Sequence, residues 1–167
     1  TPVAHGRERP KVLLFLGGAK ADKGFEFAIN VGIAAVQSIS NADFVFHFND
    51  RFLNGHQYAS HVARLRDAGD MHKNVEIITG NLSPERYQHI VCSSTIICLL
   101  YDPAHYGFKT SGIFWDALRC PDIRFIVTKG TWIALELAEL RLPHTEVDYL
   151  DVSSTVTAVS RVLASMP

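Results

Sequence analysis

Two short runs, Val12-Leu13-Leu14-Phe15-Leu16 and Ile96-Ile97-Cys98-Leu99-Leu100, are apolar at every position. A half-buried strand alternates apolar and polar residues, so a run with no polar position belongs to a strand covered on both faces. Sheets built from such strands are parallel, and their strands are joined by helical crossovers. The rest of the chain fits that demand. Further strands are predicted at 43–48, 75–79, 123–128 and, least regularly, 147–150, with the two apolar runs inside strands 11–16 and 95–101. Segments of helical period separate them at 25–38, 55–68, 83–93, 111–118, 131–139 and 153–165. Ser83 followed by Pro84, and Asp151 ahead of Ser153 and Ser154, supply helix-start chemistry. Because crossovers are right-handed, this order predicts an α/β fold, a Rossmann-like three-layer α/β/α domain with a parallel sheet of about six strands. The two apolar runs belong at the sheet centre.

At 167 residues and 47% hydrophobic, the chain suffices for one core. Residues 11–167 read as a single domain, and the polar, proline-containing stretch 1–10 as an interdomain linker or a processed terminus. Sixteen basic against seventeen acidic residues leave a formal charge of -1, so no net pull toward nucleic acid or anionic lipid is expected. Any phosphate must be recognised locally. No apolar run approaches the roughly twenty residues of a membrane helix, no transmembrane segment is expected, and the predicted location is cytoplasmic. Cys92, Cys98 and Cys120 lie in apolar surroundings without metal-type spacing and read as structural thiols. His56 and His61, five apart, do not share a helix face and read as surface histidines rather than a metal pair.

In open parallel sheets, ligands bind beyond the carboxyl ends of the strands. After the first strand comes Leu16-Gly17-Gly18-Ala19-Lys20-Ala21-Asp22-Lys23-Gly24. Its glycines permit close backbone approach, and Lys20 and Lys23 can neutralise phosphate. The spacing is neither that of a Walker loop nor that of the dinucleotide fingerprint, and a plain solvated turn explains it as well. After the third strand, Thr79-Gly80-Asn81-Leu82-Ser83 needs nothing beyond a turn and a cap, but it falls beside the first loop. The fourth strand leads through Tyr101 into a long loop with Tyr106 and Phe108, then Thr110-Ser111-Gly112 at a helix start. Free amides there suit a pyrophosphate, and Asp116, one turn on, suits a ribose hydroxyl. A loop this long is uncommon unless used. Periodicity leaves open whether Tyr106, Phe108 and Trp115 belong to core or pocket. Lys129-Gly130-Thr131-Trp132, with Glu136 beyond, is equally an ordinary helix entry.

Together these loops resemble the carboxyl-terminal, donor-binding domain of GT-B glycosyltransferases, above all the retaining group 1, or family 4, enzymes. The resemblance runs from Lys11 over nearly the whole chain. It implies that Lys20 and Lys23, ahead of Gly24, bind donor phosphate, that Gly80, Asn81 and Leu82 lie against the base, and that Asp116, in Asp116-Ala117-Leu118-Arg119-Cys120-Pro121, holds the ribose where the family has Glu. The family's first acidic position, counted back from Asp116, falls on Phe108, so either Asp102 or His105 substitutes or the chain belongs to a divergent subgroup.

The resulting expectation is a nucleotide-sugar-binding domain of a glycosyltransferase. Its donor site comprises Gly17, Gly18, Lys20, Lys23, Gly80, Asn81, Leu82, Tyr101, Ser111, Gly112 and Asp116, with no metal and no cofactor beyond the nucleotide-sugar substrate. Catalytic groups on this chain are not identified. The resemblance places the acceptor site on an amino-terminal partner domain, without which the isolated domain is expected to be inactive. The alternatives are a non-catalytic flavodoxin-like binding or signalling module and half of a sugar-nucleotide epimerase. A hydrolase is disfavoured, since neither a Gly-x-Ser-x-Gly elbow nor a His-Glu-x-x-His helix occurs.

Overall fold

The computed structural model describes residues 8–49 and 57–167. Six strands form one sheet: β1 (Lys11–Gly18), β2 (Asp43–Asn49), β3 (Val75–Thr79), β4 (Ile96–Leu99), β5 (Arg124–Thr128) and β6 (His144–Val147). All pairings are parallel, in the order β3-β2-β1-β4-β5-β6. The helices are α1 (Phe25–Ser38), α2 (Ala59–His72), α3 (Pro84–Cys92), α4 (Pro103–Tyr106), α5 (Gly112–Ala117), α6 (Trp132–Glu139) and α7 (Val152–Ala164). The Rossmann-like α/β reading holds, and the two apolar runs lie side by side at the centre as β1 and β4. The order is that of dinucleotide-binding sheets rather than flavodoxin's. A flavodoxin-like module therefore drops out.

Each sheet face carries its own core. One, containing Val12, Phe25, Phe44, Phe46, Leu65 and Val159, lies under α1, α2 and α7. The other, containing Leu13, Val45, Ile97, Phe114, Ile133 and Leu137, lies under α3, α5 and α6. Strand β1 does not alternate perfectly between them. Its register against β2 shifts between Leu13 and Phe15, so Leu14 and Phe15 both face the first core and Leu16 faces the second. Such an irregularity re-aims every later side chain by one face. It is what turns the end of β1 toward the α3 and α5 side.

Several boundaries move. The sixth strand, expected at 147–150, ends at Val147, because Leu150 has φ 67° and the N–H of Asp151 bonds back to the carbonyl of Asp148 in a turn. Its polar residues suit an edge position. Helix α2 runs from Ala59 to His72, beyond the predicted stop at 68, and ends where Lys73 adopts φ 59°; the predicted start at Gly55, like His56, lies outside the described residues. The long loop after β4 contains α4, capped by the Asp102 carboxylate accepting from the Ala104 N–H at 2.9 Å. The strand expected at 95–101 is shorter, Ile96–Leu99.

The cysteine reading needs correction. Cys92 and Cys120 form a disulfide, and Cys98 alone is a free, buried thiol, which burial pushes up to a pKa of about 12. Sequence spacing hid the pair because the two sulfurs meet only when α3 and α5 pack together. His61 is not a plain surface residue either, since its Nε2 lies 3.1 Å from Glu26. Among the described residues, no helix is long and apolar enough to cross a membrane.

Candidate functional site

Between β1 and β4 the sheet order reverses, and neighbouring crossovers leave on opposite faces, which opens a crevice beyond the strand ends. An open cleft of about 520 Å³ occupies that place. The β1 end contributes Leu16 and Gly17, the turn after it Lys23, and β2 His47; Leu82, Pro84 and Tyr87 form the α3 wall. Tyr106 and the segment from Thr110 to Ile113 form the wall opposite.

Lys23 ends a single 3-10 turn, Ala21–Lys23, and Gly24 then reverses the chain into α1 with φ 67°. A Cβ on Gly17, whose φ is 115°, would stand 3.5 Å from the Lys23 Nζ, so the ammonium reaches back over the bare end of β1. Burial, and after it the neighbouring Lys20 charge, hold the Lys23 pKa below the usual lysine value, with Asp22 opposing. An ammonium in that state gains from an anion more than a solvated one does.

Across the cleft, α5 begins at Gly112. Ser111 precedes it without capping it; its Oγ instead lies 3.1 Å from the Tyr101 hydroxyl. The first-turn amides thus have no side-chain cap, and Gly112 and Ile113 both form part of the cleft wall. Tyr101 is buried, which raises its pKa to about 12, and it packs against Tyr106 with ring centroids 4.4 Å apart. Its role is to hold Ser111 from behind.

No family model matches the chain, and no curated protein sequence is similar to it. Solved structures do match. α,α-Trehalose 6-phosphate synthase from Burkholderia multivorans superposes with a TM-score of 0.75 at 11% identity, over 95% of this chain and 36% of that one. The UDP-forming synthase from Burkholderia xenovorans, in complex with glucose-6-phosphate, gives 0.72 at 11%, with the same coverages. Sucrose-phosphate synthase from Thermosynechococcus elongatus gives 0.62 at 17% identity, over 95% of this chain and 37% of that one. The chain has the fold of a GT-B glycosyltransferase domain. It spans roughly a third of the length of those structures.

Within this fold the expected donor residues divide. Gly17, Lys23, Leu82, Ser111 and Gly112 line the one cleft. Tyr101 stands behind it. Asp116 is set back, its carboxylate accepting from the Tyr87 hydroxyl at 2.9 Å, and it is Tyr87 that faces the cleft. Gly80 and Asn81 belong to the turn leading to Leu82. The Gly80 carbonyl is bonded to His47, and the Asn81 Oδ1 accepts from Asn49 at 2.6 Å. Gly18 ends β1 without joining the lining, and the exposed Lys20 acts on Lys23 through its charge.

Phe108, at the family's first acidic position, is fully exposed. Asp102 caps α4 and holds the His105 Nδ1 at 2.9 Å, and neither lines the cleft. Tyr106 is the pocket aromatic of the three left open by periodicity. Trp115 is partly exposed beside Trp132, with its Nε1 donating to Thr110 at 2.7 Å. Sequence reasoning missed Tyr87 and His47. A histidine inside Phe44-Val45-Phe46-His47-Phe48 was the available signal, since a buried polar ring in an apolar strand needs partners.

Proposed function

We propose that this domain binds the nucleotide-sugar donor of a glycosyl transfer, with the diphosphate between Lys23 and the first-turn amides of α5. The observation that carries the reading is that Gly17 and Lys23 from one strand-to-helix turn, and Ser111 and Gly112 from another, line a single cleft at the switch point of the sheet. One diphosphate spanning the cleft meets an ammonium whose burial favours pairing on one side and backbone N–H donors on the other.

The chemistry follows from that arrangement. As the bond from anomeric carbon to diphosphate breaks, negative charge grows on the leaving oxygens, and fixed donors aimed at them stabilise the transition state more than the ground state. Lys23, with Lys20 beside it, and the α5 amides supply this without a metal or further cofactor. The nucleoside extends toward the Leu82, Pro84 and Tyr87 wall. Acceptor binding and the remaining catalytic groups fall to a second domain, so the isolated chain is proposed to bind donor without turning it over. A cytoplasmic setting goes with this reading only if Cys92 and Cys120 are kept as thiols there, because reducing compartments rarely retain disulfides.

The test is calorimetry with UDP, ADP and GDP on the unaltered chain and on Lys23→Ala. The expected result is binding of at least one nucleoside diphosphate, weakened at least tenfold by the substitution. Binding of none of the three overturns the reading, and equal affinity in both proteins removes Lys23 from the site.

A further inference from the structure

We propose that His47 is a positioning residue that sets the span between the phosphate side and the base side of the cleft; this rests on the nucleotide reading above. His47 is a buried polar residue on a strand whose neighbours, Phe46 and Phe48, are fully buried core. Strand alternation puts it on the face of Val45, toward α3 and α5, where it lines the cleft. There both ring nitrogens are engaged with backbone. The Gly17 N–H donates to Nδ1 at 3.3 Å. Nε2 lies 2.8 Å from the Gly80 carbonyl, which can only accept. Those two bonds are satisfied together by one neutral tautomer, with the proton on Nε2 and the lone pair on Nδ1.

The two backbone groups so joined belong to different segments, the end of β1 and the turn after β3. Gly17 lies beneath the Lys23 ammonium, at the phosphate side. Gly80 begins the turn that delivers Leu82 and Pro84 to the opposite wall. The sheet spaces the strands as far as Gly18 beside Asn49 and Phe48 beside Thr79, and the planar ring, with no internal freedom, adds a fixed link at the rim where Gly80 leaves that ladder. An apolar residue of similar size would fill the same space but leave the Gly17 N–H and the Gly80 carbonyl without these partners. Nothing in the packing of β2 requires an imidazole; the two contacts do.

Two substitutions separate the two contacts. In His47→Asn the amide oxygen stands near the place of Nδ1 and can accept from Gly17, but Gly80 loses its donor. In His47→Gln the amide nitrogen reaches the place of Nε2 and can donate to Gly80, but Gly17 loses its acceptor. Affinities for UDP and UMP are measured by calorimetry on all three proteins, with circular dichroism to establish folding. His47→Gln is expected to lose at least tenfold of the preference for UDP over UMP, because the diphosphate side is released. His47→Asn is expected to keep that preference while both affinities fall together. An unchanged preference and unchanged affinities in both folded variants overturn the proposal. Should a variant not fold, the long-range nitrogen-proton spectrum of unaltered protein decides: the Nε2–H tautomer, retained when UDP is added, is expected, and the Nδ1–H tautomer overturns the bridge. The tautomer is already read in the free protein before UDP is added, so absence of nucleotide binding would sink the nucleotide reading while the bridge was still measured.

Discussion

The Tyr87 hydroxyl donates to the Asp116 carboxylate at 2.9 Å, joining α3 to α5 across the back of the cleft. Burial first, and then this bond, push the tyrosine pKa well above its ordinary value, so the hydroxyl remains a donor throughout the usable pH range. Tyr87→Phe leaves a carboxylate short of a partner. Loss of about 1.5 kcal/mol is expected in urea unfolding, and affinity for ribonucleoside diphosphates should fall while that for inorganic pyrophosphate is kept. Equal loss for both ligands would place Tyr87 on the phosphate side instead.

Nucleotide affinity should weaken as pH rises, earlier than an ordinary lysine would dictate. The pKa of Lys23 in the free protein is depressed by burial and by Lys20. A bound diphosphate favours the charged ammonium and so raises that pKa. Binding is therefore at full strength below the free-state pKa, is lost as pH climbs through it, and is accompanied by proton uptake in that window. Lys23→Arg, whose guanidinium stays charged, should abolish the decline. Titration of affinity against pH between neutral and alkaline values checks this, and a flat profile in unaltered protein refutes it.

Gly24 has no room for a side chain. Its φ is 67°, and an added Cβ would overlap the carbonyl oxygen of Leu100, just beyond β4. The left-handed backbone alone costs about 1–2 kcal/mol for alanine, and the contact with rigid backbone adds to it. Gly24→Ala should lower stability by about 3 kcal/mol or more and displace Lys23 from the cleft. Chemical denaturation and UDP binding measure the two effects.

Reduction of the Cys92–Cys120 bond, which closes a loop of sequence separation 28, should cost about 3 kcal/mol through the freedom restored to the unfolded chain. Thermal midpoints with and without dithiothreitol, and for Cys92→Ser, should fall by the same amount. The bond links the carboxyl end of α3 to the segment after α5, the two helices that carry the cleft walls.

The layered fold was legible because β1 and β4 are apolar on both faces, a local property that only a covered parallel strand satisfies. That the turns after β1, β3 and β4 share one rim was legible for a related reason, since strand-to-helix turns in such a sheet open on one edge. Asp116 was placed correctly on α5, but its partner was not foreseeable. Tyr87 lies 29 residues away, and no spacing rule joins two helices that meet only by packing. The last strand was misplaced because an edge strand needs no apolar run, so His144-Thr145-Glu146 carried no signal.

What the amino-acid order determines by itself is therefore periodic: where the chain is strand or helix, which strands are central, and which turns carry glycine, lysine and cap residues. What only the tertiary structure decided is the set of contacts between distant elements. Those are the bulge that redirects Leu16, the imidazole held between Gly17 and Gly80, the Tyr87 bond to Asp116, and the pairing of Cys92 with Cys120. Periodicity follows from the geometry of one backbone segment, whereas each of these contacts depends on the relative placement of two segments, which is fixed only when both cores close.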